Sequence, residues 1–155
     1  MDINITFNSR GFRTKAVDLA YREAVRDILA YAEDRAKTYA PRRTGNLQRN
    51  IDSTRVIKTG GVYIGEVHVK KTAPYAKWVE SGTGMWGPYH MPIVPKTGNF
   101  LKFKWKGHTV YARSVKGQHG RHFMELAYQD TNRLYIPYRL QKLKREIGAA
   151  LSVTT

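Results

Sequence analysis

In residues 14–37 the apolar side chains fall at Val17, Tyr21, Ala24, Val25, Ile28, Leu29, Ala32 and Ala36, with no Gly or Pro among them. Spacing by three and four predicts an amphipathic helix that turns this stripe toward a core. The opposite side carries Lys15, Arg22, Arg26, Arg35 and Lys37 against Asp18, Glu23, Asp27, Glu33 and Asp34, so the helix is charge-balanced. Pro41 lacks a donor and restricts Ala40, which ends the helix, and Thr44-Gly45-Asn46 continue as turn residues.

From residue 50 to 71 the pattern shortens to runs rich in β-branched residues. Residues 51–58, a Thr59-Gly60-Gly61 turn and residues 62–69 predict a hairpin. In its second strand Tyr63, Gly65, Val67 and Val69 share the more apolar face, which is expected to pack on the long helix. A second hairpin is expected from residues 100–105, a Lys106-Gly107-His108 turn and residues 109–115. There Phe103 and Trp105 alternate with Lys102, Lys104 and Lys106, predicting one buried and one cationic face. Residues 82–98 hold four Gly and three Pro together with Trp86, Tyr89, His90 and Met91, the composition of an extended functional loop. A short helix is expected within residues 123–132. Pro137, followed by Leu140, Leu143, Ile147 and Leu151, predicts a C-terminal helical tail over 133–155. The fold class is therefore α+β: a long N-terminal helix on a mainly antiparallel sheet of two hairpins, a Gly/Pro-rich loop and a C-terminal helix.

A chain of 155 residues fits one domain, 1–155, and 41% apolar with 25% charged residues is a globular composition. Charge changes the picture: 27 Lys and Arg against 12 Asp and Glu give a net +15, which points to an anionic partner. With no cysteine, disulfides, thiolate nucleophiles and sulfur-ligated zinc are excluded. The first ten residues lack the apolar core of a signal peptide, and no stretch reaches a membrane span, so a chain made in the cytoplasm and free of membrane is expected.

The five histidines, His68, His90, His108, His119 and His122, do not make a metal site by spacing: only His119 and His122 are close, in a Gly-rich stretch, and no acidic residue lies between Ile93 and Met124 to complete a local ligand set. No acid pair suits a two-metal nuclease and no phosphate loop is present, so no catalytic, cofactor-binding or metal residues are assigned. The stronger lead is Lys96, Lys102, Lys104, Lys106, Arg113, Lys116 and Arg121, a cationic cluster with no acid between its members. It suits DNA or an acidic protein face as diffuse charge, without a base-reading motif.

Two blocks, Ala40-Pro41-Arg42-Arg43-Thr44-Gly45-Asn46-Leu47-Gln48-Arg49-Asn50-Ile51 and Tyr75-Ala76-Lys77-Trp78-Val79-Glu80-Ser81-Gly82-Thr83, flank the first hairpin. In this order, after a long helix, they resemble the neck or tail-completion family of tailed bacteriophages over roughly residues 10–130. His122 stands where that family has Pro before the Phe123 to Ala127 block. The resemblance implies a non-enzymatic virion protein at the head-tail junction, a homo-oligomeric ring without cofactors, meeting head-completion, neck and tail-terminator proteins and passing DNA without sequence preference. Within it Pro41, Thr44 and Gly45 make a turn. Tyr75, Trp78, Glu80, Trp86 and Tyr89 belong either to the core or to a subunit interface. The alternative is a monomeric basic nucleic-acid-binding protein or nuclease.

Overall fold

The computed structural model describes residues 2–8 and 15–152, and the chain forms two compact units, residues 1–74 with 123–155 and residues 75–122. In the first unit the strand β1 (Ile3–Asn8) precedes the helix α1 (Lys15–Tyr39), followed by the short α2 (Asn46–Arg49) and the strands β2 (Ile51–Ser53), β3 (Ile57–Thr59) and β4 (Val62–Val69). α1 buries Val17, Ala24, Val25, Ile28, Leu29, Ala32 and Ala36, which is the predicted stripe apart from the half-buried Tyr21. Each large aliphatic side chain among them contributes about 1.5–3 kcal/mol of transfer free energy.

β4 is the centre of an antiparallel sheet: β1 runs along one side of it, and β2 and β3 follow one another along the other. Where those two strands break, the Thr54 N–H donates to the Glu66 carbonyl at 2.8 Å and the Glu66 N–H donates to the Thr54 hydroxyl at 2.9 Å, so both backbone groups of Glu66 stay paired across the break. Tyr63, Gly65 and Val67 are buried, on the face expected to meet α1. A Cβ on Gly65 would lie 2.2 Å from Leu29 Cδ1; glycine is what lets helix and sheet approach here. The strand β1 was not anticipated, although Ile3, Ile5 and Phe7 alternate with polar residues.

The chain returns in α4 (Phe123–Asp130) and α5 (Ile136–Ser152), joined without a loop through a π-helical turn, Thr131–Tyr135. Pro137 follows this widened turn; its missing N–H and its ring's clash with a preceding carbonyl are accommodated by the wider winding. Both helices pack on α1, and Tyr31 stacks on Tyr135 at 4.3 Å. The acids of α1 are used across elements. Arg139, 2% exposed, donates from Nε to Asp27 at 2.7 Å and from Nη1 to Glu146 at 3.1 Å. The hydroxyl of Ser53 donates to Glu33 at 2.6 Å, and Asp18 accepts from both Lys58 and Tyr63. That Lys58 bond, then that of Tyr63, holds the Asp18 carboxyl below its usual value, while burial first of all pushes the Tyr63 hydroxyl up. No described helix is long and apolar enough to cross a membrane.

Candidate functional site

The turn block lies at the end of α1. Ala40 still donates to Ala36 at 3.0 Å, the Asn46 N–H reaches the Thr44 hydroxyl at 3.4 Å, and Gly45, at φ 69, caps α2. That left-handed conformation favours Gly. Leu47 and Ile51, four apart, are both buried. Gln48 has a role the sequence did not disclose: its side-chain amide donates to the Lys37 carbonyl at 2.7 Å, satisfying one of the acceptors left open at the end of α1.

The second unit begins with α3 (Ala76–Ser81), followed by a 3-10 turn, Gly84–Trp86. Residues 79–87 are stitched to the returning segment 116–122: Thr83 donates to Gln118 at 2.9 Å, Met85 to Lys116 at 2.8 Å and, from the return, Arg121 to Val79 at 2.7 Å. A Cβ on Gly117 would stand 2.1 Å from the Thr83 carbonyl oxygen and one on Gly84 2.3 Å from that of Lys116, so only glycine lets the two backbones close on each other. Further along, Ile93 and Val115 exchange hydrogen bonds at 2.9 and 3.0 Å. The extended loop is thus tied into its own unit at both ends.

The strands β5 (Leu101–Trp105) and β6 (His108–Ala112) pair as a separate two-stranded sheet. Lys106 and Gly107 connect them with positive φ of 48 and 84, the conformation that matches the twist of a tight hairpin. Lys102 and Lys104 share a face with their register partners Tyr111 and Thr109, and Arg113 follows the end of β6. Lys102 lies over the Tyr111 ring at 5.6 Å, and Arg113 over Phe100 at 5.9 Å. Lys106 sits at the tip; Lys96, Lys116 and Arg121 lie in the segments before and after the hairpin. None of these seven cations forms an ion pair among the described residues. The opposite face was expected to be buried. Phe103 is half-buried, but Trp105 is 63% exposed, because the hairpin's far end has no layer beneath it within its unit.

Of the aromatic positions singled out, Tyr75, Trp78, Trp86 and Tyr89 are exposed, whereas Glu80 is 8% exposed. Trp86 stacks on His119 at 3.8 Å and Lys77 lies over Trp78 at 4.7 Å. Such a surface, cationic and aromatic, can hold a polyanion or an acidic protein by charge and contact area.

Residues 11–82 match the HK97-gp10-like family. That family is described as bacteriophage HK97-gp10, a proposed tail component. The matched stretch contains α1, the turn block, the strands around β4 and the Tyr75 to Gly82 part of the second block, so it bears out the resemblance to phage structural proteins read from those motifs. The cationic hairpin lies beyond the HK97-gp10-like stretch. No curated protein and no solved structure matches the chain.

Proposed function

We propose that this chain is a structural subunit of a tailed-phage virion that assembles into a ring at the head-tail junction through which DNA passes. The match of residues 11–82 to a phage tail-component family carries the reading. Two features of the 75–122 unit support the finer part. Its hairpin offers Lys102 and Lys104 on one face, with Arg113 just beyond the end of β6 and no acid among them, the diffuse charge that lets any DNA sequence slide. Tyr75, Trp78, Trp86 and Tyr89 offer exposed aromatic area of the kind that protein interfaces use, toward copies of this chain or toward head-completion, neck and tail-terminator proteins. A ring needs a head-to-tail contact that closes; Glu80, being buried, is not part of it. The role is structural, not catalytic.

Removing the gene from the phage and counting particles by electron microscopy tests the reading. The expected result is full heads and finished tails that fail to join, restored when the gene is supplied in trans, with antibody label on restored particles at the junction. Normally joined particles without the gene overturn it. A chain that stays at 17.8 kDa in light scattering even with its neighbouring virion proteins, yet binds DNA, favours the monomeric nucleic-acid-binding alternative instead.

A further inference from the structure

Within the 75–122 unit lies a groove of about 640 Å³, lined by Trp78, Tyr89, Met91, Pro92, Ile93 and Lys96. It is apolar and largely uncovered: Tyr89 is 82% exposed and Met91 67%, and exposed apolar surface gathered in one place marks a contact site. Its volume falls within the range of about 300–1,000 Å³ typical of pockets for small ligands or a few side chains. The charge at its edge has one sign. Lys96 lines it, Lys77 lies over the ring of Trp78 at 4.7 Å, and no carboxylate is among the lining residues.

We infer that this groove receives a short, extended, acidic peptide segment of another protein, with an aliphatic or aromatic side chain seated on Trp78 and Tyr89 and carboxylates on Lys77 and Lys96. Charge complementarity selects the occupant. A second copy of this chain is a poor one: it carries +15, and every Asp and Glu except Asp2 lies within a helix or strand, so it has no extended acidic segment to offer. Duplex DNA brings the right sign but a rigid, hydrated backbone that leaves the apolar walls uncovered. The inference does not depend on ring formation. It concerns the groove, whereas DNA passage concerns the hairpin face.

The test selects from a random ten-residue peptide library on the immobilised full-length chain. Enriched peptides are then titrated against the wild type, Trp78→Ala, Lys96→Glu and the combined Lys102→Gln, Lys104→Gln, Lys106→Gln variant. Enrichment of Asp and Glu around Leu, Phe or Tyr is expected. Each groove variant should lose about tenfold or more in affinity, and the hairpin variant less than about threefold, as for exposed charges outside the contact. Lys96 is exposed, so its variant keeps the test sound if Trp78→Ala fails to fold. No enrichment, enrichment of neutral or basic peptides, loss that follows the hairpin variant instead of the groove variants, or competition by a second copy of the chain overturns the proposal.

Discussion

In the unit formed by residues 1–74 and 123–155, Asp18, Asp27 and Asp52 each hold a Lys or Arg from another part of the fold, and Glu146 shares Arg139 with Asp27 from within α5. In residues 75–122, eight Lys and Arg stand against the single Glu80, and the seven cations of the cluster carry no ion pair among the described residues. Apolar side chains divide less sharply. The first unit buries Ile28, Tyr63, Val67 and Phe123 completely, though it exposes Leu19, Ile57, Leu134 and Tyr138, while the second leaves Trp78, Trp86, Tyr89, Trp105 and Tyr111 in solvent. One unit spends its chemistry on its own stability and the other keeps it for contacts outside the chain. If that contrast is right, substitutions in the first should be read in unfolding and those in the second in binding.

The largest effect is expected at Ile28, which is fully buried. Ile28→Ala should cost about 2–5 kcal/mol in urea unfolding, whereas Phe103→Ala on the half-buried hairpin face should cost less than about 1 kcal/mol. Equal losses would break the comparison, since the hairpin would then rest on a core of its own. Next comes Arg139→Ala, which leaves Asp27 and Glu146 without their buried partner. Removing one member of a buried pair costs about 3–5 kcal/mol, and here about 2–3 kcal/mol is expected because both carboxylates are one-third exposed. Arg139→Met, which keeps the apolar stem, should lose less in the same unfolding assay.

How far the sequence spoke also differs between the units. The helix α1 was legible because its period persists through 25 residues without a breaker, and β4 because Tyr63, Gly65 and Val67 alternate with less buried positions. The strand β1 carries the same two-residue alternation in Ile3, Ile5 and Phe7, but six residues at the start of a chain give a short signal, and its partner in β4 lies about sixty residues on. In the second unit, the contact of residues 82–87 with 116–122 is made by backbone against backbone at Gly84 and Gly117. Such contacts leave no side-chain pattern to read. The alternation of Phe103 and Trp105 was visible, yet alternation implies a covered face only where something covers it, and Trp105 is left exposed. Of the cationic cluster, the sequence named the members; the strand register put Lys102 and Lys104 on one face.

A smaller effect follows from pH. The hydrogen bond from Lys58, then that from Tyr63, depresses the Asp18 carboxyl, and Lys70 does the same first of all for Asp52. A carboxyl whose folded pKa lies below its unfolded value stabilises the fold above the unfolded value, and that share disappears as pH falls through the folded one. Stability should therefore decline as the solution is acidified below the ordinary carboxylate value of 3.8. Asp18→Asn should flatten part of that decline in melting temperatures taken from pH 6 to about 2. A variant with an unchanged acid limb would mean that Asp18 is not held by Lys58 in solution.

The smallest effect on stability, and the sharpest separation of the two units, is expected when Lys102, Lys104 and Lys106 are changed together to Gln. These side chains are exposed and contribute to no ion pair among the described residues, so the melting transition should move by no more than about 0.5 kcal/mol for each change. Removal of three cations from a phosphate-facing surface, by contrast, should lower duplex affinity to the same degree for every sequence. It should also reduce the slope of log K against log salt by about 2–3, since each neutralised phosphate contributes about 0.9. The remaining face still holds Arg113 over Phe100 and Tyr111 near the former Lys102, so binding should weaken without vanishing. A variant that keeps its salt slope but no longer joins heads to tails would assign the lysines to an acidic protein surface in place of DNA. If it melts several kcal/mol early, the lysines belong to the fold after all, and the division between a self-satisfied unit and an outward-facing one is lost.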